Sequence, residues 1–408
     1  MSLFRFVHMA DVHLDAPFAS RKKEVRDLLR HALHDSFRAA VRLALGEKVD
    51  ALLVAGDLFD TPEPSLSAER FLLEELRRLG EAGIAVFTCS GNHDPGGARS
   101  GLRRIPWPEN VTLFFDPRPE RKEVRRPGGE VAAHVTGAGH DSPALGENLA
   151  ALFPAATGPL PEVALLHASV EGSNASAAHD RYAPCGASDL RRGYDYWALG
   201  HIHLRQQVGE SPAAFYPGSL LGRSRKETGD KGVLLVEASR GAPARALFHR
   251  TSSLTWEEVA ADISSAENAD ALRQIIVKAA SRSAAGGPVL LTVRLEGASP
   301  LKELLDRREE LERLEEDLAG EVGLPLLLIR TGGLTGRINP AGVRIGPLGS
   351  ALDLVERLRS GEESLDTLFS GPLAGLTPGD AEEKRRYLLS LLENAEEEII
   401  SRVWKEGQ

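Results

Sequence analysis

Apolar residues fall along this chain in short blocks that stop at a glycine or a polar cluster, separated by stretches with helical spacing. Leu3 to Met9 predicts a buried strand, with β propensity from Phe4, Phe6 and Val7, and it runs straight into Asp11-Val12-His13. Lys22 to Leu45 predicts a helix with an apolar stripe of Leu28, Leu29, Ala32, Leu33, Ala39, Ala40, Leu43 and Ala44. Ala51-Leu52-Leu53-Val54-Ala55 predicts a strand covered on both faces, cut off by Gly56-Asp57-Leu58-Phe59-Asp60. Pro62 and Pro64 break the chain before a helix over Ser67 to Leu79, and Gly83 precedes a strand over Ile84 to Cys89. That strand ends in Ser90-Gly91-Asn92-His93-Asp94. Strand, helix, strand, helix, strand predicts a right-handed parallel sheet with its three polar clusters on one edge.

The pattern weakens between Arg99 and Arg126 into loops with short strands such as Val111 to Phe115. It returns at Glu162 to His167, an apolar strand ending in histidine, and again at Tyr194 to Gly200, followed by His201-Ile202-His203. Tyr216-Pro217-Gly218-Ser219 and a strand over Gly232 to Glu237 close a second half, so that a β-sandwich with helices outside fits residues 1–250. Beyond it, Gly287 to Leu295 and Leu324 to Ile329 predict strands and Leu301 to Leu318 a charged helix, a small α+β domain over 251–335. The Gly- and Pro-rich stretch Thr331 to Gly349 predicts a linker, centred on 336–349. A helical segment over 350–408 comes next, with a short helix near Ala351 to Leu358 and a longer one from Asp380. Asp380 and Glu383 resemble a capping box there, and Leu388, Leu391, Leu392, Ala395, Ile399 and Val403 make its stripe.

Composition narrows the class. At 408 residues, with 42% hydrophobic and 26% charged, the chain has the balance of a soluble multidomain protein. Without an apolar run of membrane length or a signal-peptide pattern, a cytoplasmic protein is expected. Cys89 and Cys185, far apart, predict buried reduced thiols and no thiolate metal site. The net charge of −10 argues against an unaided, strongly basic nucleic-acid binder, although residues 301–408 carry −8 of it.

The polar clusters then form one constellation. Asp11, His13, Asp57, Asn92, His167, His201 and His203 each lie on, or just after, the last residue of an apolar block. Asp57 alone reads more readily as a turn residue than as a ligand; the other clusters reverse that. Carboxylate, imidazole and amide together, without thiolate, suit two divalent cations; Mn²⁺ is the natural candidate, with Zn²⁺, Fe²⁺ and Mg²⁺ open. One carboxylate has to bridge, and Asp57 at the sheet centre is best placed.

The motifs D-x-H, G-D, G-N-H-D, a strand-final His and G-H-x-H, in this order, resemble the calcineurin-like metallophosphoesterase superfamily. The D-x-H-L-D start, Y-W-A-L-G-H-I-H, and Y-P-G-S followed by E-x-G-x-K-G-V are closer still to the bacterial SbcD- and YhaO-like exonucleases of DNA repair, nearest the YhaO-like branch. The resemblance implies an α/β, four-layer metallophosphoesterase β-sandwich flanked by helices, with a small α+β capping domain and C-terminal helices. It places Asp11, His13, Asp57 and His203 on one metal, and Asp57, Asn92, His167 and His201 on the other. It makes His93 the catalytic histidine over the scissile phosphate, assisting the leaving oxygen, with Asp94 or Asp15 orienting groups of the site. It further implies DNA as substrate, a coiled-coil ABC-type ATPase as partner and a homodimer.

One departure stands out: where many SbcD-type nucleases have G-D-x-x-H, this chain has Asp60. Asp60 is expected to act behind the ligands or to repel DNA from one path. Three arginine-rich places could follow a phosphate backbone: Arg99, Arg103 and Arg104; Arg118, Arg121, Lys122, Arg125 and Arg126; and Arg223, Arg225 and Lys226, the last preferred for its closeness to the site motifs. The C-terminal stripe either packs on its own domain or docks on the ATPase. The expected function is a two-metal exonuclease, with endonuclease action open. The alternatives are a metallophosphodiesterase or phosphatase acting on a small molecule or phosphoprotein, and a non-catalytic subunit of an ATPase complex.

Overall fold

A computed structural model describes residues 2–18, 20, 22–173, 182–284, 288–336 and 347–364, together with Leu392, Ala395 and Ile399. Alternation at period two decides how the first strands lie. In β1 (Leu3–Met9) and β2 (Ala51–Ala55), Phe4, Phe6, Ala51, Leu53 and Ala55 face one way and Val7, Met9, Leu52 and Val54 the other. Both faces are therefore buried, as expected of strands with helices on one side and a second sheet on the other.

The first sheet has the order β12-β11-β1-β2-β3-β4, with β3 at Ala85–Cys89, β4 at Val111–Phe114, β11 at Gly232–Ser239 and β12 at Arg245–Arg250. β1 to β4 are parallel, with Val7 opposite Leu52 and Leu52 opposite Val86, and β11 returns antiparallel along β1. The second sheet has the order β5-β6-β7-β8-β10-β9. Its strands are β5 (Glu120–Arg125), β6 (Val131–Ala138), β7 (Glu162–His167), β8 (Tyr196–Gly200), β9 (Gln206–Glu210) and β10 (Ala213–Tyr216). β6, β7, β8 and β10 are parallel to one another.

Phe4, Phe6, Leu53 and Phe87 of the first sheet pack against Val135, Leu165, Tyr196 and Ala198 of the second, forming the inner core. Each fully buried phenylalanine contributes about 2 to 3 kcal/mol by area. Helices α1 (Lys23–Gly46) and α2 (Leu66–Glu81) cover the outer face of the first sheet through Leu29, Phe37, Leu72 and Leu76. On the far side of the second sheet, Trp197 and Leu199 are covered by Leu149 and Phe153, in and after a 3₁₀ turn, and by Leu190 and Tyr194.

Several expectations shift in detail. The buried face of α1 runs through Val25, Leu29, Ala32, Leu33, Phe37 and Val41, whereas Leu28, Ala39 and Leu43 are only partly buried; Val25, Phe37 and Val41 rotate the stripe. β5 lies where mostly loops were expected, because it is a charged edge strand in which only Val124 is buried. The region after β12 contains β13 (Thr255–Asp262), α3 (Ala269–Ala284), β14 (Val289–Ser299), α4 (Lys302–Leu305), α5 (Arg308–Val322), β15 (Leu326–Gly336) and α6 (Pro347–Ser360). β13-β14-β15 is a three-stranded sheet. The helix expected over Leu301 to Leu318 breaks in two, because the Arg307 amide turns to Leu304 O at 3.2 Å before a regular turn restarts from Arg307. Thr331 to Gly336, read as linker, are strand: at Gly333 a Cβ would sit 2.9 Å from Leu295 O, so glycine admits the close approach.

By packing, the chain divides into two compact units, one of residues 1–259, 280–292 and 319–328, the other of 260–279, 293–318 and 329 onward. In the second, Leu392 packs with Val355 and Leu358 of α6, with Ala395 and Ile399 alongside. Asp380, Glu383, Leu388, Leu391 and Val403 lie outside the described residues, as does 337–346, most of the expected linker. Among the described residues no helix is long and apolar enough to cross a membrane.

Candidate metal centre

The parallel strands of both sheets deliver their carboxyl ends to one edge, where α/β sheets carry chemistry. Asp11 lies two residues past β1, Asp57 two past β2 and Asn92 three past β3; His167 closes β7, and His201 directly follows β8. Asp11 (φ 51°), His13 (53°), Asp57 (50°) and His201 (103°) all adopt the left-handed conformation, which side chains other than glycine's occupy at a cost. Cross-links hold them there: the Asp11 amide donates to Gly56 O at 3.2 Å and that of His13 to Asp57 O at 3.0 Å. The motif glycines keep room for the rest. A Cβ on Gly91 would meet Asp57 Oδ1 at 2.2 Å, and one on Gly200 would meet Ala55 O at 1.7 Å.

All seven strand-end candidates converge. His13 Nε2 lies 3.2 Å from His203 Nε2 and 3.8 Å from Asp57 Oδ2, while His203 Nε2 is 3.9 Å from Asp11 Oδ1. On the other side His167 Nε2 is 3.4 Å from Asp57 Oδ2 and 2.9 Å from Asn92 Oδ1, and His201 Nδ1 is 3.3 Å from that same oxygen. Asp57 Oδ2 thus sits between the two groups, and Asp57 Oδ1 accepts the His93 amide at 2.9 Å. Among the described residues three sets have ligand atoms close enough to share an ion: Asp11, His13 and His203; His13, Asp57 and His93; Asp11, Asp57 and His167.

The electrostatics fit a divalent cation. Burial pushes the Asp11 carboxyl up to about 7, reinforced by Asp57 and opposed by His203, and pushes Asp57 up to about 6. Burial also holds His13 and His167 well below the usual imidazole value. Neutral imidazoles at His13 and His167, beside two carboxylates that burial discourages from ionising, form a donor set that a 2+ ion satisfies, whereas at His203 the lowering effect of burial is outweighed by Glu227 and Asp11, which raise it.

Hydrogen bonds turn two of these rings so that Nε2 faces the cluster, and a carboxylate lies beside Nδ1 of a third without an aligned bond. His167 Nδ1 donates to Ala55 O at 2.9 Å, His13 Nδ1 lies 2.9 Å from Asp60 Oδ1, and His203 Nδ1 is 3.0 Å from Glu227 Oε1. Glu227 is the residue beside this cluster that sequence reasoning missed; its only signal was the E-x-G-x-K-G motif. Its Oε2 accepts the Ser219 hydroxyl at 3.2 Å and the Arg223 amide at 3.1 Å, and Lys231 Nζ donates to His203 O at 2.9 Å. Burial pushes the Glu227 carboxyl up, yet the hydrogen bond and charge of His203, the Arg223 amide and Lys231 together bring it down to about 2.

The remaining candidates separate. His93 is 36% exposed, whereas His13 and His167 are fully buried and His203 is 12% exposed, so His93 is the imidazole of this group most open to an incoming ligand. Its Nδ1 is 3.3 Å from Asp60 Oδ1 and 3.4 Å from Asp60 O. Asp60 Oδ1 therefore meets His13, His93 and, at 3.2 Å, Arg223 NH1. Asp94 clamps the loops of the cluster, accepting the Phe59 amide at 3.0 Å and the Gly91 amide at 2.8 Å. Asp15 accepts the amide and hydroxyl of Ser65, at 2.7 and 2.8 Å, and so fixes the start of α2. Arg225 and Lys226 are exposed. The other arginine groups are largely engaged: Arg104 with Glu63, Arg125 with Glu123, Arg121 with Glu162 at 2.5 Å, and Arg126 with Asp50 at 2.6 Å. Cys89 and Cys185 are buried free thiols, both pushed up by burial.

Known proteins resemble this chain over both of its main regions. The calcineurin-like phosphoesterase family matches residues 4–205, and the middle domain of the metallophosphoesterase YhaO matches residues 256–326. Over 327 residues the chain is 37% identical to the uncharacterized metallophosphoesterase YhaO of Bacillus subtilis, covering 76% of this chain and 78% of that protein. It is 27% identical to the DNA double-strand break repair protein Mre11 of Sulfurisphaera tokodaii over 262 residues, 60% of this chain and 62% of the relative. It is likewise 27% identical to a subunit of the nuclease SbcCD from Bacillus subtilis over 287 residues, 62% of this chain and 69% of the relative.

Proposed function

This chain belongs to the calcineurin-like metallophosphoesterases, hydrolases that bind divalent metals, and from that premise we propose that it is a two-metal DNA nuclease cleaving phosphodiester bonds in DNA repair. The observation that carries the reading is the convergence of Asp11, His13, Asp57, Asn92, His167, His201 and His203 around the Asp57 carboxylate. Two bound cations, most suitably Mn²⁺, would supply Lewis acidity toward the phosphate and lower the pKa of an attacking water. Asp11, His13, Asp57 and His203 would hold one, and Asp57, Asn92, His167 and His201 the other. His93 donates a proton to the departing oxygen, with its Nδ1 turned toward Asp60. Asp57 fixes the backbone of His93 through its amide and so indexes the acid to the metal-binding carboxylate.

DNA is preferred over a small phosphodiester because the relatives include an Mre11 and a subunit of the nuclease SbcCD, and because the exposed Arg225 and Lys226 lie beside the site motifs. The YhaO middle-domain match supports a capping domain over 251–335. In this reading the segment from 350 engages a coiled-coil ABC-type ATPase, the chain pairs with a second copy, and the setting is cytoplasmic. The test is Mn²⁺-dependent cleavage of end-labelled linear duplex and single-stranded DNA. Cleavage abolished by Asp57→Ala and His93→Ala supports the reading; turnover of nitrophenyl phosphodiesters with no DNA cleavage, alone or with the ATPase, would replace it with a small-substrate phosphodiesterase.

A further inference from the structure

We infer that Arg223 is a catalytic residue of the phosphoester site, its guanidinium contacting the non-bridging oxygens of the phosphate under attack rather than following the flanking backbone. This rests on the reading of the strand-end cluster as a phosphodiester-hydrolysing site and does not require the diester to be DNA.

Four observations carry it. Arg223 is turned inward: its side chain is 29% exposed, against the open Arg225 and Lys226 two and three residues on, and its NH1 is fully covered. NH1 lies 3.2 Å from Asp60 Oδ1 but makes no aligned hydrogen bond. That carboxylate oxygen, also 2.9 Å from His13 Nδ1 and 3.3 Å from His93 Nδ1, accepts no aligned hydrogen bond from any of the three, so the fork with its five N–H donors is held near Asp60 by charge rather than by a directed bond. Finally, the loop is anchored to the metal-side machinery. The Arg223 amide donates to Glu227 Oε2 while Glu227 Oε1 faces His203, the Glu227 amide returns to Ser224 O at 2.9 Å, and Trp256 Nε1 holds Gly222 O at 3.0 Å.

One carboxylate, Glu227, therefore indexes both a metal-facing imidazole and the root of a guanidinium. The chemistry that fits is a phosphate. As the water oxygen–phosphorus bond forms and the phosphorus–ester oxygen bond breaks, negative charge builds on the non-bridging oxygens, and a planar fork meets two of them at once. Asp60 then serves as the resting partner that keeps the fork near His93 until phosphate arrives.

The test uses bis(4-nitrophenyl) phosphate, which has no flanking phosphates, and inorganic phosphate as a binding probe on the full-length Mn²⁺-loaded protein. Arg223→Ala is expected to lower kcat/KM on the small diester at least 100-fold, mostly in kcat, and to weaken phosphate binding by calorimetry at least tenfold. Arg223→Lys, which keeps the charge but not the fork, should recover less than a tenth of the lost activity. If Arg223→Ala unfolds or loses Mn²⁺, the lysine variant decides: activity and phosphate affinity within threefold of the parent overturn the proposal. So does Arg223→Ala within threefold of the parent on both readouts. A protein that hydrolyses the small diester but not DNA ends the nuclease reading and leaves Arg223 to be judged on the diester; a protein that hydrolyses neither leaves phosphate affinity to decide it.

Discussion

Glu227 offers the sharpest perturbation of the candidate metal centre that replaces none of the proposed ligands. Its carboxyl falls from the usual 4.5 to about 2 although burial opposes ionisation, which corresponds to about 3 kcal/mol favouring the charged form. The contact with His203 is the largest favourable contribution, ahead of the Arg223 amide and Lys231. A depressed carboxyl stabilises the fold above its ordinary value and loses that contribution only as pH falls toward 2, so at pH 7.5 it is fully present. In Glu227→Gln the amide oxygen can still accept from Ser219 and the Arg223 amide, but the group beside His203 Nδ1 becomes an NH₂ donor. The imidazole proton must then move to Nε2, the nitrogen facing the cluster. If about half of the 3 kcal/mol is transmitted, Mn²⁺ affinity drops by roughly 10- to 100-fold. Calorimetric titration of Mn²⁺ into wild type and Glu227→Gln at pH 7.5 measures this. A dissociation constant within twofold of wild type, with the fold intact, would refute the argument that Glu227 sets the tautomer of a ligand.

Other outcomes rest on the same geometry. The gain in Tm on adding Mn²⁺ should be larger at pH 8 than at pH 5.5. Asp11 and Asp57, raised to about 7 and about 6, hold protons that metal must displace at low pH, whereas the depressed His13 and His167 hold none to release; a pH-independent gain in thermal scans contradicts this. Gly91→Ala, which drives a Cβ onto Asp57 Oδ1, should weaken Mn²⁺ binding at least about tenfold, while Gly146→Ala, with nothing within 4 Å, should leave it unchanged in the same titration. Replacing Arg225 and Lys226 together by alanine should flatten the dependence of log K for DNA on log salt by about one to two. An unchanged slope in fluorescence-anisotropy titrations removes that patch from the interface.

The site was largely legible in the sequence because parallel strands buried on both faces must be continuously apolar, and the residues just past their carboxyl ends must emerge at one edge. Asp57 after Ala51–Ala55 and His167 at the end of Glu162–Leu166 are both instances, and the same logic located Asn92 and His201. Glu227 was not legible, since it acts through His203 from a loop that carries no periodicity. The inward turn of Arg223, against the exposure of Arg225 and Lys226, depends on an amide-to-carboxylate bond that no spacing rule encodes. Asp15 and Asp94 were picked out by residue type and motif position; their oxygens go to the amides of Ser65, Phe59 and Gly91, so they brace the loops that carry the candidate ligands. In the fold, β5 escaped notice because an edge strand with a charged sequence lacks the apolar signal, and the glycines of β15 read as linker until the close approach of Gly333 to Leu295 O explained them.

The central claim is a pair of ions bridged by Asp57, and counting them tests it most directly. Equilibrium dialysis of the full-length protein against Mn²⁺ at pH 7.5, followed by elemental analysis, should give two ions per chain for wild type and fewer than one for Asp57→Ala. One ion or none in wild type, or two retained in Asp57→Ala, would contradict it.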